Sequence, residues 1–166
     1  MLDSIDHVNL VVADLDRMAA FYGSVLGLTI TKRVTISGPW IDRTVGLSGV
    51  TAEVIYLDTP AGPRVELIRY ATPPAARPGG LGDSNTPGLR HLAFRVADID
   101  AAVAALRSAG VEFFSDVQTV PDSQVTYAGG VRKRLVYFRD PEGNLLELCE
   151  YGALRNPNDE TRNPNE

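Results

Sequence analysis

"HVNLVVADLD" at residues 7–16 and "HLAFRVADID" at residues 91–100 are two versions of one phrase, and their relation decides the fold. Each opens on a histidine, and the chain has no others. With His7 set against His91, Val12, Ala13, Asp14, Asp16, Ala20 and Ser24 meet Val96, Ala97, Asp98, Asp100, Ala104 and Ser108. After a one-residue slip Gly27 meets Gly110. A second echo follows in the same order. "RVELIRY" (64–70) resembles "NLLELCEY" (144–151), with Glu66 opposite Glu147, Leu67 opposite Leu148 and Tyr70 opposite Tyr151. Glu66 follows His7 by 59 residues and Glu147 follows His91 by 56. Two echoes at similar separation identify a tandem duplication.

Each copy reads as one supersecondary unit. The openings are short β-rich runs. Asp14 and Asp98 then stand where they can cap the helices "LDRMAAFYGSVLG" and "IDAAVAALRSAG". Ile99, Val103 and Leu106 recur at helical spacing, as do Leu15, Met18, Tyr22 and Leu26, and Gly27 and Gly110 are placed to end the helices. Three extended stretches complete each copy, at 28–36, 50–58 and 64–70 and again at 111–118, 131–139 and 144–151. The order is β-α-β-β-β, twice, an α+β arrangement. One domain over residues 1–151 is expected, with modules at 5–70 and 89–151. The Pro- and Gly-rich link 71–88 reads as flexible, residues 37–49 as a long loop or short helix, and the polar tail 152–166 as disordered.

The bulk numbers narrow the function. The 166 residues are 44% hydrophobic and 22% charged, the balance of a globular protein. A formal net charge of -5 leaves no basic footprint for nucleic acid or an anionic membrane. No apolar run of about 18 residues occurs, and "MLDSIDH" lacks the regions of a signal peptide. The single cysteine, Cys149, excludes an intrachain disulfide and fits a reducing cytoplasm. A small-molecule substrate is the expected partner.

Alternation then assigns faces. Val8, Leu10 and Val12 point one way along their strand, and His7, Asn9 and Val11 the other. Leu92, Phe94 and Val96 oppose His91, Ala93 and Arg95. Val65 and Leu67 oppose Glu66, and Leu146 and Leu148 oppose Glu147. The apolar faces pack on the helices, so both histidines and both glutamates belong to the opposite faces. A carboxylate on an enclosed face is costly without a cation. Two neutral imidazoles cannot supply one, but a divalent metal can. Two nitrogens and two carboxylate oxygens suit Zn, Ni, Co, Mn or Fe(II), with positions left open for substrate.

On these residues, and on "DHVNLVVADLDRMAAFYGSVLGL" and "FRDPEGNLLELCE", the chain over residues 5–151 resembles the vicinal oxygen chelate superfamily. That group includes glyoxalase I, methylmalonyl-CoA epimerase, extradiol dioxygenases, and fosfomycin and bleomycin resistance proteins. The resemblance implies two βαβββ modules in an incomplete barrel around one divalent metal, and a homodimer. It places His7, Glu66, His91 and Glu147 on the ligand positions. A glutamate at position 66 is similar to glyoxalase I and unlike the two-histidine, one-carboxylate set of the dioxygenases. "GLRHLAFRVADIDAAVAALRSAGVEF" resembles methylmalonyl-CoA epimerases, although those carry His-His where this chain has Arg90-His91. Their catalytic base lies on a strand similar to "VTAEVIYL", which points to Glu53.

The chemistry implied is enolate or enediolate formation stabilised by a metal, by an isomerase, epimerase or lyase. Glu147 is the first candidate base, with Glu66 or Glu53 as its partner. Arg95, Arg134, Asn9 and Trp40 are candidate substrate contacts. Arg132 and Arg134 alternate with Lys133, which places the arginines inward and Lys133 outward. The alternatives are an Fe(II) extradiol-type dioxygenase and a binding or resistance protein without catalysis.

Overall fold

The structure, a computed structural model, describes residues 2–76 and 79–153. Most of the expected polar tail therefore lies outside the described residues. The chain divides into two compact units, Met1–Thr86 with Asp140–Asn144, and Pro87–Arg139 with Leu145–Glu166.

In the first unit the elements are β1 (His7–Val11), α1 (Leu15–Ala20), β2 (Thr29–Ser37), α2 (Pro39–Val45), β3 (Thr51–Asp58) and β4 (Arg64–Thr72). Their sheet has the order β1-β4-β3-β2. β1 runs parallel to β4, and the other pairings are antiparallel. The second unit repeats this with β5 (His91–Arg95), α3 (Ile99–Ser108), β6 (Gln118–Thr119), β7 (Val131–Arg139) and β8 (Leu145–Ala153). Its order is β5-β8-β7-β6, again with the first strand parallel to the last. The fold is α+β, a βαβββ unit twice over, and neither four-stranded sheet closes into a barrel.

Both helices start as the sequence requires. Asp14 Oδ1 accepts from Arg17 N at 3.0 Å, and Asp98 Oδ1 accepts from Ala101 N at 3.0 Å. Each cap satisfies a backbone donor that the first turn leaves open. Gly27 and Gly110 adopt φ of 78° and 84°, the left-handed conformation that lets the chain turn away from a helix end. The helix expected to run on from Ala20 instead widens into a π-helical turn at Phe21–Val25, closed by Leu26 N to Phe21 O at 3.0 Å. The extra residue coincides with two consecutive buried aromatics, Phe21 and Tyr22, whose rings meet edge to face.

Each long helix covers one sheet face. Leu15 and Met18 of α1 are buried, as are Ile55, Leu57, Val65 and Leu67 on the facing strands. Ile99, Val103 and Leu106 of α3 lie over the face that carries Val136, Phe138, Leu146 and Leu148. Burying each such side chain contributes about 1.5–3 kcal/mol, which fixes the register of the whole strand. The faces turned away from α1 and α3 are what remain for chemistry.

One expected strand changes, and one turn has an added role. The strand expected at 111–118 shrinks to Gln118–Thr119 and a single bridge between Phe113 and Phe138. Ser115 Oγ and Gln118 Nε2 both bond the Asp116 carbonyl, a local bend that competes with the ladder. "DPEGN" at 140–144 forms the turn between β7 and β8, yet packs as part of the first unit. Asp140 accepts from Tyr22 Oη at 3.0 Å and from the backbone of Glu142 and Asn144. Glu142 accepts from Ala13 N and Asp14 N at the start of α1. This motif anchors a helix start.

Candidate functional site

The helix-free face of the second sheet carries the denser cluster. Register pairs Ala93 with Glu147 and Glu147 with Tyr137, so His91, Tyr137 and Glu147 share a face. Glu147 is only 2% exposed. Its Oε2 lies 3.3 Å from His91 Nε2. Its Oε1 lies 2.6 Å from Lys133 Nζ as an ion pair and has no hydrogen-bond partner among the described residues. The His91 and Tyr137 rings are in tilted contact, centroids 5.2 Å apart. Burial, then the charge and hydrogen bond of Glu147, push the Tyr137 phenol above its ordinary pKa. Burial works against the Lys133 charge, but Glu147 more than offsets it and the lysine pKa is raised.

The first sheet carries a looser version. Asn9 and Tyr56 stand opposite Glu66 on either side, which puts His7, Asn9, Tyr56 and Glu66 on one face. Asn9 Nδ2 donates to Glu66 Oε1 at 2.5 Å. Burial raises the Tyr56 pKa, with the charge and hydrogen bond of Glu66 adding to it. His7 Nδ1 lies 2.8 Å from Asp6 Oδ2, and this bond lowers the Asp6 pKa. An ionised carboxylate only accepts, so Nδ1 is the donor in this pair and Nε2 is the ring nitrogen turned to a ligand.

The structure brings His91 and Glu147 together in the second unit and, in the first, sets His7 and Glu66 on one face of the sheet without contact between them. Among the described residues no three His, Cys, Asp or Glu side chains gather closely enough to hold a metal ion. The donor chemistry of the second pair still fits a divalent ion. A buried carboxylate whose Oε2 faces an imidazole nitrogen, while its Oε1 meets an ammonium, offers a nitrogen–oxygen donor pair of the kind such ions take.

Other candidates separate by face. Glu53 pairs in register with Arg69 and Thr35, on the α1 side of its sheet, opposite Glu66. Its carboxylate is bound by Arg69 and lies 3.6 Å from Arg33, which reaches Asp16 of α1. The Arg69 hydrogen bond is the main reason its pKa is lowered. This corrects its assignment as a base beside Glu147. Arg134 is likewise corrected. Its guanidinium holds Asp100 of α3 through two bonds of 2.8 and 2.7 Å, with Glu150 at 3.8 Å, on the helix side. Lys133 therefore occupies the chemical face and its arginine neighbours do not.

Arg95 does share the face of His91. It is exposed, its guanidinium stacks 5.4 Å from the Tyr151 ring centre, and among the described residues it forms no ion pair. Trp40 is 54% exposed on α2. That helix is pinned by Ile41 to Val50, Ala52, Val54 and Ile68, covering the far end of the Glu66 face.

Sequence reasoning missed Asp6, Tyr56, Lys133 and Tyr137. A signal existed for the tyrosines: each precedes its glutamate by 10 residues.

Comparison with known proteins identifies the family and the fold. The family model described as Glyoxalase/Bleomycin resistance protein/Dioxygenase superfamily matches residues 4–148. A 2-epi-5-epi-valiolone epimerase from Actinomyces is 35% identical over 154 residues, covering 90% of this chain and 80% of that protein. The human mitochondrial methylmalonyl-CoA epimerase is 25% identical over 150 residues, covering 89% and 73%. The crystal structure of a glyoxalase family protein from Bacillus cereus superposes with a TM-score of 0.75 at 33% identity, covering 91% of this chain and 95% of that one. No helix among the described residues is long and apolar enough to cross a membrane.

Proposed function

The chain belongs to the Glyoxalase/Bleomycin resistance protein/Dioxygenase superfamily, and we propose that it is an epimerase or isomerase that moves a proton at a carbon beside an oxygen-bearing carbon of a small substrate. The observation that carries this reading is Glu147, a carboxylate buried to 2% exposure on a helix-free sheet face. Epimerase-named relatives support it.

Proton transfer falls to the glutamates. Glu147 is the first base and Glu66 its counterpart in the other module, each with a tyrosine beside it in register. A positioned carboxylate of this kind contributes roughly 10²–10⁴-fold to such a step. Tyr137 and Tyr56 hold their carboxylates in place, and Asn9 limits the rotation of Glu66. Arg95, with no acidic partner among the described residues, is the substrate contact of choice for an oxygen-rich or anionic group. A divalent ion held by His91 and Glu147 would polarise the substrate oxygens and lower the pKa of the neighbouring C–H.

Deuterium exchange tests this. Protein in D2O is mixed with 2-epi-5-epi-valiolone or methylmalonyl-CoA, the substrates in the relatives' names, and C–H signal loss is followed by NMR. Exchange is expected into at least one of them, lost on chelation and restored by a divalent ion. Failure of exchange with both would overturn the assignment. Exchange indifferent to chelation would remove the metal and leave the glutamates.

A further inference from the structure

Among the described residues Glu147 is the most deeply buried charge on the faces turned away from α1 and α3, and it has a cationic partner already. A buried carboxylate without a counter-charge is unstable. The geometry divides its two oxygens: Oε1 goes to Lys133 at 2.6 Å, and Oε2 faces His91 at 3.3 Å. Lys133 is itself held from behind. Its ammonium lies 5.8 Å from the centre of the Tyr151 ring, whose edge-to-face partner is Tyr127. The lysine is thus placed by the sheet and by an aromatic ring as well as by the glutamate.

The scaffold does not demand this arrangement. In the repeat, Glu147 answers to Glu66 and Tyr137 to Tyr56, which sets Lys133 against Ala52. Ala52 is fully buried in the apolar cluster under α2, and Glu66 takes a neutral donor, Asn9, instead.

We propose that Lys133 is a resident counter-ion that shares Glu147 with the divalent ion, taking Oε1 and leaving Oε2 to the metal, so that its charge sets the affinity of the site and stabilises the metal-free protein. This rests on the reading of Glu147 as a metal ligand. The sign follows from charge. An ammonium a few ångströms from a dication opposes its binding, and at about 5 Å even in a water-like medium the repulsion corresponds to roughly a tenfold change in affinity. When the metal is absent the same ammonium spares Glu147 its burial cost.

Binding of Co(II) alone, measured by calorimetry on the full chain, tests this. The set is the wild type, Lys133→Met, Lys133→Gln, Lys133→Arg, His91→Ala and Glu147→Gln. Both neutral variants at 133 are expected to bind Co(II) about tenfold more tightly than wild type, and Lys133→Arg within about threefold of it. Metal-free Lys133→Met is expected to melt earlier than wild type and to recover most of the difference when Co(II) is added. Lys133→Gln, which keeps a polar head, preserves the test if the methionine variant does not fold. Equal or weaker binding by the neutral variants, with binding lost in His91→Ala and Glu147→Gln, would overturn the counter-ion role alone. Binding unchanged in His91→Ala and Glu147→Gln, or absent throughout, would overturn the metal reading and the counter-ion role with it.

Discussion

The two glutamates occupy equivalent places in a duplicated fold and are held in different ways. Glu66 is partly buried, bonded by the neutral Asn9 and set beside Tyr56, and makes no ion pair among the described residues. Glu147 is buried, ion-paired with Lys133 and set beside Tyr137 and His91. In the repeat Asn9 stands opposite Ala93, and Lys133 opposite Ala52. Each module thus keeps one polar partner for its glutamate, but on a different strand and with a different charge. The histidines diverge too: His7 is fixed by Asp6, whereas His91 leans on the Tyr137 ring. The lesson is that the backbone repeat fixes where a carboxylate stands, while its neighbours fix its charge balance.

Substituting the glutamates one at a time tests this inequality most strongly. Glu147→Gln keeps the shape, removes the charge and strands Lys133. A fall of about 10³-fold in the exchange rate is expected, against about 10²-fold for Glu66→Gln. The exchange assay ranks them directly. Equal losses would mean that the difference in surroundings has no catalytic consequence.

A smaller effect is expected from the tyrosines, the feature the modules share. Tyr137→Phe and Tyr56→Phe each remove one hydrogen bond to a carboxylate, worth about 1–1.5 kcal/mol, or roughly five- to tenfold in exchange. Because Glu147 retains Lys133 and Glu66 retains only Asn9, the Tyr56 variant is expected to lose more. The reverse order would show that Lys133 does not hold Glu147 in place.

How far the sequence reaches depends on how clean each strand's alternation is. β1, β4, β5 and β8 could be read because strongly apolar residues occupy one parity near His7, Glu66, His91 and Glu147. The duplication was legible for the same reason, since it lives in motifs that cap and end helices. β3 and β7 are ambiguous. Val54 and Ile55 are adjacent and both buried, one under α2 and the other on the α1 side, so "AEVIY" names no solvent face and Glu53 cannot be placed from it. In "VRKRL" three cations stand in a row, and only the register of β7 against β8 shows that Lys133 meets Glu147 while Arg134 meets Asp100. Such choices depend on partners from other strands, which no local pattern records. The shortened strand at Gln118–Thr119 has the same origin, because β propensity at 111–118 says nothing of the bend at Asp116.

The weakest effect, and the sharpest check on that register, is expected at Glu53. It lies across the sheet from Glu66, bound to Arg69, so Glu53→Gln should leave the exchange rate within about twofold, as for a surface change distant from the chemistry. Its consequence should appear instead in stability against pH. The Arg69 hydrogen bond holds the folded-state pKa of Glu53 below its ordinary value of 4.5. The stabilisation is therefore present above that ordinary value and is lost as pH falls through the lower, folded-state one. Urea denaturation of wild type and Glu53→Gln across this range should show the two converging as the solution is acidified and separating above it. A tenfold loss of exchange in this variant would return Glu53 to the reacting face and undo the assignment of faces on β3.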